Sequence, residues 1–171
     1  MDSQLYELAV DVGKALKAKG WLLVTAESCT GGWVGEAVTM VPGSSEWFEG
    51  GFITYTNRAK QEMLGVKSVT LEAHGAVSEE TVREMVGGAL ANGHGHVAVA
   101  VSGVAGPAGG TPGKPVGTVC IAWGLRREEP IAVSRHFAGD REAVRRQSVI
   151  AALEGVLAIV SGGPRTVIHE P

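Results

Sequence analysis

Three strand-type runs, WLLVTA (21–26), GGFITYT (50–56) and HVAVAVSG (96–103), are separated by segments of helical periodicity. This alternation constrains the fold more than any other feature of the chain. Strands that alternate with helices must pair in parallel, because each crossover carries the chain back over the sheet. Two further strand-type runs, VGTVCIAWG (116–124) and about 130–138, flank LRREEP, which reads as the turn of a hairpin. A late hairpin adds antiparallel strands to a parallel core. The expectation is an α/β fold: a single three-layer α/β/α sandwich with a mixed sheet.

The helical segments carry their own signals. In residues 3–19, Leu5, Leu8, Val12, Ala15 and Leu16 fall on one helical face, and Gly20 is a natural stop. GGWVGEAVTMV (31–41) reads as a helix ending before Pro42. NRAKQEMLGV (57–66) follows with Asn57 in N-cap position, and residues 67–78 read as irregular. Ser78 caps EETVREMVGGALANG, whose acidic first turn suits the helix dipole. Asp140 caps a long last helix that starts at REAVRRQ. The domain is expected over residues 5–162, with 163–171 as a loose tail.

Composition bounds the function. No run of about 18 apolar residues is present, which argues against a membrane partner. The start of the chain, MDSQLYELAV, does not read as a secretory signal. A net charge of −3 argues against nucleic acid as the main partner. Two cysteines, Cys29 and Cys120, lack metal-type spacing and suit a reduced, cytoplasmic setting. The 25 glycines cluster at a few junctions, where backbone must turn sharply or approach a ligand.

The first junction is TAESCTGG (25–32), where a strand hands over to a helix. Free N–H groups and a positive dipole end meet there. Ser28, Thr30, Gly31 and Gly32 fit three readings: an ordinary capped turn, an anion cradle, or a serine nucleophile beside an oxyanion hole. The pattern is neither G-x-S-x-G nor a P-loop. Cys29 has no activating histidine nearby and reads as packing. The second is TYTNRAK, from Tyr55 to Lys60. A lysine in the first turn of a helix opposes the dipole, and burial lowers its pKa further. A neutral lysine can take a proton from a serine, with a tyrosine to relay or orient it. A solvated surface lysine is the plain alternative.

The third is the Gly/Pro-rich loop after the strand ending at Gly103, where Ser102, Gly103 and Gly106 could present donors to a ligand. The fourth is GDREAVRRQS (139–148). Arg141 and Arg145 share one helix face and oppose its dipole, which suits a phosphate or carboxylate; a solvated basic face is the alternative. His94 and His96 have no evident third ligand, so no metal is expected.

The motifs TAESCTGG, WFEGGFITYTNRAK, HGAVSEETV, SGVAGPAGG, KPVGTV and GDREAVRRQ occur in order. Together they resemble the CinA C-terminal domain family over roughly residues 5 to 160. The resemblance implies an amidohydrolase that turns nicotinamide mononucleotide and water into nicotinic acid mononucleotide and ammonia, in pyridine-nucleotide salvage. It implies Ser28 as nucleophile, assisted by Tyr55 and Lys60, with no metal, no cofactor and a homo-oligomeric, dimeric or larger, assembly. Larger relatives carry an extra domain with pyrophosphatase activity, which is not expected here. Where relatives read YSNEAK this chain reads YTNRAK, which puts Arg58 near Lys60.

These pieces combine into one scheme. Lys60 deprotonates Ser28 directly or through Tyr55. Backbone N–H groups of Thr30 to Gly32, or of Ser102 and Gly103, hold the oxyanion, and Arg141 or Arg145 seats the substrate's phosphate. A different class of reading is a non-catalytic nucleotide-binding regulatory module linked to competence or DNA damage. A third is a Ser–Lys hydrolase of another amide, such as a peptide.

Overall fold

The computed structural model of the protein describes residues 1–162. Its central strand shows how the sequence divides the molecule. In β3 (Val97–Gly103), Val97, Val99 and Val101 face one side of the sheet while Ala98 and Ala100 face the other. β4 (Thr118–Leu125) repeats the division, with Val119, Ile121 and Trp123 opposite Cys120 and Ala122. Both faces of these strands are buried, so each needs its own layer of helices.

The large-residue face packs against α1 (Ser3–Lys19), α2 (Trp33–Thr39) and α6 (Arg141–Val160), through Leu5, Val12, Leu16, Val34, Val38, Val149 and Leu153. The small-residue face packs against α3 (Asn57–Leu64), α4 (Ser68–His74) and α5 (Glu79–Asn92), through Leu64, Leu71, Val82, Met85 and Val86. Alanines on this face let the helices approach the sheet closely. The expected three-layer sandwich is the observed one.

β1 (Leu23–Glu27) lies between β2 (Phe48–Ile53) and β3 and is parallel to both, while β4 and β5 (Ile131–His136) extend the sheet antiparallel, giving the order β2-β1-β3-β4-β5. The chain leaves β1 toward β2 and leaves β3 in the opposite direction, toward β4. The carboxyl ends of β1 and β3 therefore part at a topological switch point, where sheets of this type open a crevice. Residues 28–32 and the loop after Gly103 both start there.

Three expectations are corrected. Residues 67–78 are not wholly irregular, since α4 forms at Ser68–His74. Its N-terminus has no side-chain cap of its own, and Glu84 on α5 takes the Lys67 N–H and the Thr70 hydroxyl instead. A tertiary contact makes this helix, so local sequence does not announce it. Thr56 rather than Asn57 caps α3, with its Oγ1 accepting the Ala59 N–H at 3.0 Å. The second strand starts at Phe48 and ends at Ile53, earlier than the GGFITYT run suggests. Thr54 and Tyr55 are thus released from the sheet, which matters below. The tail at 163–171 lies outside the described residues.

Candidate active site

Ser28 stands one residue beyond β1, and its N–H continues the ladder to the Val101 carbonyl at 3.0 Å. The chain then turns sharply. Gly31 N–H returns to the Ser28 carbonyl at 3.0 Å, and Gly31 and Gly32 take φ of 58° and 104°, a left-handed region open to glycine at little cost. A Cβ on Gly32 would also sit 3.0 Å from Ile53 Cδ1. The paired glycines fix the turn that presents Ser28.

Lys60 comes from the first turn of α3, on the small-residue face. It is 1% exposed, and its Nζ lies 3.0 Å from Ser28 Oγ, 3.0 Å from the Thr54 carbonyl and 3.4 Å from the Tyr55 carbonyl. Among the described residues no carboxylate pairs with it. Burial pushes its pKa down from 10.5, and only the attraction of an ionised Cys29 would oppose this. Nζ donates to Ser28 Oγ and to the Thr54 and Tyr55 carbonyls; in the neutral amine two N–H bonds still reach the carbonyls and the lone pair can accept from the Ser28 hydroxyl instead. The nearby Arg58 is turned away, paired with Glu62 at 2.9 Å on the exposed side of α3.

Tyr55 meets Lys60 through its backbone and not through its hydroxyl. Its backbone carbonyl meets Lys60, but its exposed side chain reaches outward, where the hydroxyl accepts from Arg141 Nη2 at 3.0 Å. The direct route between Ser28 and Lys60 needs no tyrosine hydroxyl. Cys29 is buried, and desolvation pushes its thiol up to about 11, far from a thiolate nucleophile at neutral pH.

The two arginines act at different places. Arg145 Nε and Nη2 donate to the Cys29 and Thr30 carbonyls at 3.0 and 3.2 Å, and its guanidinium lies 5.3 Å from the centre of the Trp33 ring. It clamps the turn that follows Ser28. Arg141 Nη1 donates to the Gly106 carbonyl at 2.8 Å. Both arginines line an open cleft of about 940 Å³ with Trp33, Pro107, Val116 and Glu142. Ser28 and Lys60 are not part of this lining; Arg145, which is, bonds to the carbonyls of the two residues after Ser28.

The expected donors separate in the same way. Gly31 N–H is engaged by Ser28, and Gly32 N–H by Glu27 Oε1 at 3.2 Å, so these two amides are not free oxyanion donors as expected. Ser102 is buried on the Ala98–Ala100 side of β3. Val104 N–H pairs with the Thr118 carbonyl, so by strand alternation Gly103 N–H points the other way, past the end of β1 and toward the turn. Gly106, with φ of 84°, bends the loop over the cleft. His96 Nδ1 accepts the Leu22 N–H at 2.9 Å and so belongs to the framework of β1.

Sequence reasoning missed two groups. Glu27, 1% exposed, accepts at 2.6 Å from the Thr30 hydroxyl, and also from the N–H groups of Gly32, Val34 and Gly35. A lone acid at the end of a strand carries no sequence pattern that marks it. The Thr54 hydroxyl is buried without a partner, and sequence gave no sign of it.

The model of the CinA C-terminal domain matches residues 5–160. The chain belongs to the CinA C-terminal domain family. A nicotinamide-nucleotide amidohydrolase PncC of Escherichia coli (strain K12) is 54% identical over 153 residues, covering 90% of this chain and 93% of that protein. The protein of the same name from Pseudomonas putida is 55% identical over 152 residues, covering 89% and 94%. The crystal structure of a CinA superfamily protein from Klebsiella pneumoniae 700603 superposes with a TM-score of 0.89 at 39% identity, over 92% of this chain and 98% of that one. Among the described residues of this chain, no helix is long and apolar enough to cross a membrane.

Proposed function

We propose that the protein is an amidohydrolase converting nicotinamide mononucleotide and water to nicotinic acid mononucleotide and ammonia. The observation that carries this reading is the buried contact of 3.0 Å between Lys60 Nζ and Ser28 Oγ, at the end of β1. The names of relatives 54% and 55% identical supply the substrate.

Neutral Lys60 takes the Ser28 hydroxyl proton as Oγ bonds to the carboxamide carbon. Negative charge moves to the carbonyl oxygen, where the Cys29, Thr30 and Gly103 N–H groups are the candidate donors. The Lys60 ammonium then gives its proton to the amide nitrogen, the C–N bond breaks, and ammonia leaves. Water attacks the resulting ester while Lys60 takes one of its protons. That proton returns to Ser28 Oγ as nicotinic acid mononucleotide departs. No step needs a metal or a cofactor.

The cleft supports a nucleotide. Arg141 and Arg145 both line the cleft and supply cationic N–H groups for the 5′-phosphate. Two free, buried cysteines suit a reducing, cytoplasmic setting. A homo-oligomer, as expected from the family resemblance, belongs to the same proposal.

The test is ammonia release from nicotinamide mononucleotide by the purified protein, with nicotinamide and a glutamine peptide as comparison amides. Stoichiometric ammonia and nicotinic acid mononucleotide are expected, and none from Ser28→Ala. Tight binding without turnover would replace this reading with the non-catalytic nucleotide-binding module. Faster hydrolysis of the peptide would replace the substrate.

A further inference from the structure

We propose that Glu27 is a positioning residue for the nucleophile, setting which backbone donors face the reacting carbonyl. The inference rests on the serine mechanism proposed above. Glu27 is held by its own backbone, which pairs with Ile53 on one side and Val101 on the other, and its carbonyl accepts the Thr54 N–H at 2.8 Å. By strand alternation its side chain leaves the sheet on the face of α2, opposite to the face from which Lys60 approaches Ser28.

On that face the carboxylate takes four donors. Oε1 accepts from the Thr30 hydroxyl and from the Gly32 and Val34 N–H groups, at 2.6, 3.2 and 2.9 Å, and Oε2 accepts from Gly35 N–H at 3.0 Å. Among the described residues no lysine or arginine pairs with it. Its charge is answered by the start of α2 alone. Arg145 meanwhile holds the Cys29 and Thr30 carbonyls from the side of α6. Residues 28–32 are therefore pinned twice, through their donors by Glu27 and through their carbonyls by Arg145.

Two functional consequences follow from this pinning. First, the amides of Gly32, Val34 and Gly35 are withdrawn from the site, so the Cys29 and Thr30 N–H groups remain as the turn's own donors. Second, the anion-attracting start of α2 already holds an anion. That seat is thereby closed to a substrate phosphate.

Glu27→Gln tests this. A carboxamide offers one acceptor oxygen and an NH₂ group, so at least one N–H of the α2 start would face another N–H. The chain should fold, but the turn should lose its fixed geometry. The expected result is a kcat at least about tenfold lower with KM changed by less than about threefold, because a misplaced nucleophile affects the chemical step. The rate of Ser28 labelling by a fluorophosphonate, normalised to folded protein, should fall in parallel. Labelling does not depend on which amide is the substrate, so it separates failure of this inference from failure of the substrate assignment. A folded Glu27→Gln enzyme with labelling and kcat within about threefold of wild type overturns the proposal. If Glu27→Gln does not fold, Thr30→Val, which removes one donor to Oε1, decides on the same readouts: slower labelling supports the role and unchanged labelling overturns it.

Discussion

Lys60 Nζ lies 3.0 Å from Ser28 Oγ, and its other hydrogen-bond partners are the carbonyls of Thr54 and Tyr55. The nitrogen thus has one hydroxyl and two carbonyls around it, and among the described residues no carboxylate pairs with it. In the proposed mechanism Lys60 is the base. Lys60→Arg should then fail, since a guanidinium stays protonated and is too large for the same seat. A fall in kcat of at least about 10²-fold is expected from losing a general base. Steady-state ammonia release measures it, and a variant with a normal rate would place the base elsewhere.

The same burial predicts two pH effects. Activity needs the deprotonated amine, so kcat/KM should rise with pH and level off above the folded-state pKa of Lys60, which lies below 10.5. Stability follows the linkage sign. Between the lowered folded pKa and 10.5 the unfolded chain carries a proton that the folded chain does not, so unfolding binds protons. Stability should therefore increase as pH rises through that window, and stop changing through this group below the folded pKa. Urea unfolding of wild type and Lys60→Met across the alkaline range checks this. The difference between the two proteins should shift in favour of wild type as pH rises, and a constant difference would mean that Lys60 keeps its proton in the folded state.

Much of this site was legible in the sequence because its parts lie at element ends. A strand-to-helix junction with Ser28 and two glycines, and a lysine in a helix's first turn, are local signals. What the sequence could not show was which of them meet. Tyr55 is near Lys60 in the chain, yet the early end of β2 leaves its carbonyl with Lys60 and sends its hydroxyl to Arg141, 86 residues further along. Arg145 reads as a phosphate ligand because it opposes the α6 dipole, and its bond to the Cys29 carbonyl depends on α6 packing against β3, β4 and α2. Glu27 passed unnoticed because a lone acid at a strand end has no pattern; only the fold closes α2 onto it. α4 was missed for a related reason, since Glu84 stabilises its start from another helix.

Tyr55 and Arg141 should act as one unit. The tyrosine hydroxyl accepts from Arg141 Nη2, and the same guanidinium donates to the Gly106 carbonyl in the cleft wall. Arg141→Ala should raise KM for nicotinamide mononucleotide by roughly tenfold or more, the scale of a lost hydrogen bond to a charged group. Tyr55→Phe should raise KM less, leave the pH profile of kcat/KM in place, and add little to Arg141→Ala in the double variant. If Tyr55→Phe instead moved the pH profile, the hydroxyl would be part of the proton path.

Gly103 joins the central strand to the nucleophile turn, and its lack of a side chain is what allows the two to meet. A Cβ there would lie 2.7 Å from Val119 Cγ2, 3.0 Å from the Thr118 carbonyl and 3.2 Å from Cys29 Sγ. The first two contacts press against β4, which is paired on both sides and cannot easily give way. Relief must come from the strand end itself, which displaces the Gly103 N–H. Gly103→Ala should therefore lower kcat more than it lowers stability. A loss of about 10²-fold, with an overpacking cost of about 1–3 kcal/mol, is the expected scale. Ammonia release together with urea unfolding tests the pair of values; a variant with full activity would remove the Gly103 N–H from the oxyanion donors and leave Cys29 and Thr30 to hold the charge.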